Sequence, residues 1–199
     1  MVNEQSMKDA IWIAHSLFQR NKTQGSSANM SFRDGDQIYI TGSGTCFGNL
    51  SSTDFAVLDL AGNHISGPKP SKEWPLHLMM YQKEGIAAVI HTHGPYAVAW
   101  SCLLRDAFED CIPSYTPYLR MKLGAVKCVE YHKPGSEKLF AAVSDALDMR
   151  DGYLLKNHGA VVRGKDLFSA FYALEELEES ARLAVLMLDK NVDAIEVEG

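Results

Sequence analysis

The sequence predicts an α/β protein of three layers (α/β/α), with a central, mostly antiparallel or mixed sheet flanked by helices. Two observations carry this. Short apolar or alternating runs interleave with longer stretches of helical periodicity, an order in which helices cover a shared sheet. Early in the chain the strand-like runs are joined by hairpin-sized turns such as Asp34-Gly35-Asp36, which favour antiparallel neighbours. The 199 residues suffice for one sizeable core and no internal repeat divides them, so a single domain over residues 1–199 is expected.

Across residues 6–20, Ile11, Ala14, Leu17 and Phe18 recur at helical spacing and predict an amphipathic opening helix, in which His15 is read as structural. A cluster of small polar residues, 24–29, precedes the alternating strand Met30-Ser31-Phe32-Arg33. The hairpin turn then leads into Gln37-Ile38-Tyr39-Ile40. A second small-residue loop, Thr41-Gly42-Ser43-Gly44-Thr45, comes before a strand over 55–60 with its turn at Ala61-Gly62-Asn63. In the segment 67–75, Pro75 suits the first turn of a helix running to about Lys83, which places Ser71, Lys72 and Glu73 at or just before its start. The strand carrying His91 and His93 feeds a helix over 95–104. A loop with Pro113 and Pro117 follows, and Val126 and Val129 mark the next strand. A helix over 135–148, strands over 153–155 and 160–162 and a long helix over 165–188 complete the order.

Composition excludes several functions. A net charge of −6 with scattered Lys and Arg is not that of a nucleic-acid-binding surface. No apolar stretch reaches the roughly 18 residues of a membrane span, and the N-terminus lacks a basic region followed by an apolar one, so a cytoplasmic protein is expected. Cys46, Cys102, Cys111 and Cys128 lack the spacing of a structural metal site or a redox pair and are read as buried free thiols, with Cys46 in a loop near the candidate site.

The chemistry centres on His91-Thr92-His93, which closes the apolar run Ala87-Ala88-Val89-Ile90 and precedes Gly94-Pro95. Residues two apart on a strand share a face, so the two imidazoles can converge on one ion; incidental strand histidines are the alternative. A catalytic zinc takes three protein ligands and keeps one position open, and His158, after its own short strand in Asn157-His158-Gly159, is the natural third. His77, on the helix after Glu73, is a weaker candidate for a hydrogen bond to the site, while His64 and His132 fall in turn-like segments expected to be exposed. Glu73 could be a fourth ligand, a proton shuttle or both, or simply a solvated acid at a helix start. The loops 26–29 and 41–45, with Ser71, offer hydroxyls and unhindered amides of the kind that cradle phosphate.

Taken together these blocks resemble the class II aldolase/adducin superfamily. The resemblance runs through Gly25-Ser26-Ser27-Ala28-Asn29-Met30-Ser31, Thr41-Gly42-Ser43-Gly44, Lys69-Pro70-Ser71-Lys72-Glu73-Trp74, Ala88-Val89-Ile90-His91-Thr92-His93, Asn157-His158-Gly159 and Ala173-Leu174-Glu175-Glu176. It implies one zinc ion per subunit on His91, His93 and His158, with Glu73 as the acid/base. It also implies phosphate or substrate binding by Ser26, Asn29, Ser43, Gly44, Ser71 and Lys72. A homotetramer with active sites between subunits is implied as well, the neighbour supplying a catalytic tyrosine for which Tyr118 fits best and Tyr115 is the fallback.

Two positions depart from the aldolase pattern: Ala28 replaces a usual glycine, and Lys72 replaces the second serine of a Ser-Ser-Glu phosphate motif. The Ser-Lys-Glu version, with Thr116-Pro117-Tyr118, Tyr131-His132-Lys133-Pro134-Gly135 and Gly164-Lys165-Asp166-Leu167, is similar to the 3-oxo-tetronate 4-phosphate decarboxylase branch. There Lys72 would orient a substrate carboxylate; alternatively it joins the phosphate site. The function so implied is a zinc-dependent carbon–carbon lyase on a small phosphorylated sugar acid or sugar, acting through a metal-stabilised enediolate. An L-fuculose-1-phosphate-type aldolase is the alternative, followed by an epimerase or a methylthioribulose-1-phosphate dehydratase, and last by a non-catalytic adducin-like module.

Overall fold

The computed structural model describes residues 2–106 and 109–196. In chain order it contains helix α1 (Glu4–Gln19), strands β1 (Asn29–Asp34) and β2 (Gln37–Thr41), two short 3-10 turns, strands β3 (Phe55–Asp59) and β4 (His64–Ser66), helix α2 (Trp74–Met80), strand β5 (Ala88–Thr92), helices α3 (Pro95–Leu103) and α4 (Tyr118–Leu123), strand β6 (Lys127–Val129), helix α5 (Glu137–Ala146), strands β7 (Gly152–Leu155) and β8 (Gly159–Gly164) and helix α6 (Leu167–Met187). The strands form one sheet ordered β4-β3-β2-β1-β5-β8-β7-β6. Every pairing is antiparallel except β6 with β7, whose crossover is α5. The sheet is therefore mixed, as the early hairpins and late helices of the sequence predict.

Alternation along the strands builds the layers. On β5, Ala88 and Ile90 enter a core shared with α1, α3, α4 and α6, while Val89 enters the opposite core with residues of α2 and α5. β8 repeats the pattern, with Ala160 and Val162 on the first side and Val161 on the second. Ile38, Ile40, Ala56 and Leu58 extend the second face under Trp74 and Leu78. Side-chain caps set the helix starts: Asn3 accepts from the Gln5 and Ser6 amides ahead of α1, and Asp166 accepts from the Ser169 amide ahead of α6.

Several sequence expectations are corrected. His64 lies in the exposed edge strand β4, too short and too polar to carry a strand pattern. Tyr118–Leu123 is a helix where a loop was expected; one and a half turns with Leu119 and Leu123 buried are too few to show a period. Cys111 and Cys128 are buried as expected, but Cys46 is half-buried and Cys102 exposed, all four being free. His132 is half-buried rather than exposed.

β7 and β8 form a tight hairpin in which Leu155 pairs with Gly159 and the His158 amide donates to the Leu155 carbonyl at 3.0 Å. Asn157 takes the left-handed conformation (φ 54°) that the turn needs. Gly159 is fixed by the neighbouring strand: a Cβ there would lie 2.3 Å from the Thr92 carbonyl oxygen. Gly159→Ala is expected to cost about 1–3 kcal/mol in a urea unfolding measurement, because that backbone atom cannot step aside.

Candidate active site

At one end of the sheet the strand register gathers the histidines. β1 and β5 pair Asn29 with His91, and β5 and β8 pair Thr92 with Ala160. His91 is within β5, His93 follows one residue beyond the strand end, and His158 closes the β7–β8 turn. Ring centroids are 5.0 Å apart for His91–His93, 4.8 Å for His91–His158 and 4.7 Å for His93–His158. One nitrogen from each lies within 4.8 Å of the others, a grouping that could hold a metal ion. His91 Nδ1 lies 2.9 Å from the Ala160 carbonyl oxygen, which assigns the proton to Nδ1 and leaves Nε2 free as a ligand. His91 Nε2 and His93 Nε2 are 3.1 Å apart.

The residues present fit a divalent ion. Both nitrogens of His158 and Oε1 of Glu73 are buried without a hydrogen-bond partner, a state that costs on the order of 1–3 kcal/mol per atom when nothing fills the site. Burial also holds the imidazoles neutral, the form that ligates. It drives His158 down to about 3, His91 well below its ordinary range and His93 downward, with mutual repulsion adding for His91 and His158 and the Lys72 charge adding for His93 and His158.

Glu73 precedes the first turn of α2 yet makes no cap to it, and is only 3% exposed. Its Oε2 lies 3.4 Å from His91 Nε2 and its Oε1 3.5 Å from His158 Nε2. A solvated helix-start acid is thereby ruled out. Beside it opens a cavity of about 410 Å³ into which the structure brings Ser26, Asn29, Ser43, Gly44, Ser71 and Lys72 together with Glu73 and His93.

Within the second loop the amides of Gly42 and Ser43 are spent on the Asp54 and Lys69 carbonyls, at 2.7 and 2.8 Å. That leaves the Gly44 amide and the Ser43 hydroxyl as this loop's offer to a ligand. Ala28 does not adopt a left-handed backbone, so the loop tolerates alanine in place of glycine. Lys72 lies over Gly135, where a Cβ would come 2.9 Å from its Cδ. Cys46 does not line this cavity, and neither do Tyr115 and Tyr118; Tyr118 starts α4 and is 58% exposed.

Two further residues support the site, one read in the sequence as a weaker candidate and one missed. His77 is fully buried, and its Nε2 meets Asn29 Oδ1 at 2.5 Å, the hydrogen bond to the site for which it was the weaker candidate. Its position four residues after Glu73, on the same helix face, was the available signal. Glu178 is 2% exposed on the apolar stripe of α6, and its carboxylate accepts from the Tyr96 and Ala97 amides at 2.9 Å each. It thus caps α3 immediately after His93, and Gly94 makes room, since a Cβ there would lie 2.4 Å from Glu178 Oε2. A charged residue within a buried helical stripe is the sequence sign of such a cap.

Fold and site together define a three-layer α/β protein with three histidines and a buried carboxylate gathered at a sheet end beside a polar cavity. The chain belongs to the family described as Class II Aldolase and Adducin N-terminal domain, whose model matches residues 8–185. It is 38% identical to the 3-oxo-tetronate 4-phosphate decarboxylase of Haemophilus influenzae over 87% of this chain and 83% of that protein. It is 39% identical to the L-fuculose phosphate aldolase of Methanococcus maripaludis over 91% of this chain and 97% of that one. The crystal structure of YgbL from Escherichia coli superposes with a TM-score of 0.93 at 32% identity, covering 98% of this chain and 95% of that one.

The low histidine pKa values have a calorimetric consequence. At pH 6, three histidines of ordinary pKa would release roughly two protons on binding a divalent ion. Here titration with zinc in buffers of different ionisation enthalpy is expected to show fewer than one.

Proposed function

We propose that this chain is a zinc-dependent carbon–carbon lyase that decarboxylates a 3-oxo-tetronate 4-phosphate to dihydroxyacetone phosphate and carbon dioxide. The observation that carries the reading is Lys72, a cation adjoining Glu73 on the wall of the cavity and close enough for its charge to be felt at His93 and His158. A substrate with a carboxylate at its reacting end and a phosphate at the other matches this polarity. The hydroxyl-bearing loops sit in the same cavity as the cation, and the decarboxylases among the relatives carry that substrate type in their name.

A zinc ion on His91, His93 and His158 would supply a Lewis acid for the charge left on the substrate's carbonyl oxygen as the carbon–carbon bond breaks. Ser26, Asn29, Ser43, Gly44 and Ser71 hold the phosphate, so that remote binding orients the scissile bond. Lys72 pairs with the carboxylate and sets its direction of departure. Loss of carbon dioxide leaves an electron pair on the carbon next to the carbonyl, and Glu73 delivers the proton that this carbon requires. Tyr118, or failing it Tyr115, serves the active site of a neighbouring subunit in a homotetramer. Its exposure and its absence from this chain's own cavity wall support that role. The proposed location is the cytoplasm; among the described residues no helix is long and apolar enough to cross a membrane.

An L-fuculose-1-phosphate-type aldolase is the second reading, favoured by the similarly close aldolase relative. Zinc-loaded protein given each phosphate ester separates the two: carbon dioxide supports decarboxylation, an aldehyde product supports the aldolase, and an unchanged carbon count contradicts both. His158→Ala is expected to lose bound zinc and all turnover. Lys72→Met is expected to raise KM for the sugar acid about tenfold to a hundredfold, the worth of one charged hydrogen bond, while inhibition by inorganic phosphate stays unchanged. Equal weakening toward phosphate would place Lys72 in the phosphate site instead.

A further inference from the structure

Behind Glu73 runs a largely buried chain of hydrogen bonds, half-buried at its outer end, that the proposed chemistry does not use. Glu73, His77 and Tyr81 fall at i, i+4 and i+8 along α2, from one cap of the helix to the other, and face β1. Asn29 and Ser31, two apart on that strand, answer them. Asn29 Nδ2 donates to Glu73 Oε2 at 3.1 Å, and Asn29 Oδ1 lies 2.5 Å from His77 Nε2. Ser31 Oγ is 2.7 Å from His77 Nδ1 and 2.7 Å from the Tyr81 hydroxyl.

The chemistry of the two ends allows one direction only. A carboxylate accepts, so Asn29 turns its NH2 to Glu73 and its carbonyl must receive a donor. His77 supplies that donor only as the Nε2–H tautomer. Its Nδ1 is then an acceptor, the Ser31 hydroxyl donates to it, and Ser31 Oγ receives the Tyr81 O–H. Burial favours the same state, lowering His77 to about 4 and raising Tyr81, so that His77 is neutral and Tyr81 keeps its proton near neutrality. Every proton in the chain points toward Glu73.

We propose that His77, backed by Ser31 and Tyr81, is a positioning residue for Glu73. The one-way chain locks the Asn29 amide, ties Oε2 as a permanent acceptor and leaves Oε1, the oxygen without a partner, as the one presented to the substrate. The role rests on the reading of Glu73 as acid/base; the chain itself does not.

The test is nitrogen-15 NMR of histidine-labelled, zinc-loaded protein at pH 7, with His77 assigned by its loss in His77→Phe, or in His77→Gln should the phenylalanine variant not fold. The expected spectrum shows protonated Nε2 and bare Nδ1, and an Nδ1–H tautomer overturns the proposal. Kinetics supply the second arm. His77→Phe is expected to keep its zinc and a KM within about threefold of the original while kcat falls at least about tenfold. His77→Gln, which restores an N–H and an acceptor, recovers most of that loss. Wild-type kcat in His77→Phe, or Gln and Phe variants impaired alike in stability and zinc content, would contradict positioning. Should His77→Phe not fold, Tyr81→Phe removes the outermost donor and is expected to lower kcat with little change in KM; an unchanged kcat overturns the role. A wild-type enzyme inactive on every phosphate ester removes the lyase reading, whereas the wrong tautomer removes the chain whether or not the enzyme turns over.

Discussion

Asn29 stands opposite His91 and Thr92 opposite Ala160, and on this register of β1, β5 and β8 the rest of the site depends. A slip of one residue would carry every side chain of a strand to the other face, sending Val89 and His91 together to the side now held by Ala88 and Ile90. The register is held by hydrophobic alternation on both faces of β5 and β8, so the forces that bury Ala88, Val89, Ile90, Val161 and Val162 are the forces that aim the imidazole. The Gly159 backbone approaches Thr92 closely enough to leave no room for a side chain, and His158 turns in beside His91 as a result.

What this arrangement gathers is unfavourable on its own. Three neutral imidazoles and a carboxylate lie at the end of a core with Oε1 and both His158 nitrogens unpartnered. Such a cluster persists because the surroundings over-determine it. Ala160 holds His91 by its Nδ1, Asn29 holds Glu73 by Oε2, and Glu178 caps the helix that starts just past His93. Each support is a buried hydrogen bond, and the first two leave His91 Nε2 and Glu73 Oε1 available. An ion and a substrate are the proposed partners of those free atoms.

Much of this was legible in the sequence, and the reasons differ from part to part. The sheet and its flanking helices follow from alternating runs interleaved with helical ones, which is robust over long segments. β4 and α4 escaped because three and six residues are too few to display a period. The histidine triplet was legible through strand alternation, and His158 through its turn. His77 was legible only as a weaker candidate, from its place four residues after Glu73, and Glu178 was missed, because a charged residue in an apolar helical stripe signals a buried partner without saying which; only tertiary packing decides it. Cys102 proved exposed for the same reason, its helix α3 turning that face outward near Asn157. Tyr118 belongs to a different class of difficulty, since its proposed partner site lies on another chain.

X-ray absorption at the zinc edge of the loaded protein tests the central claim most directly. The account predicts three imidazole nitrogens at about 2.0–2.1 Å with only oxygen donors beside them. A sulfur scatterer, or fewer than three imidazoles, would contradict it.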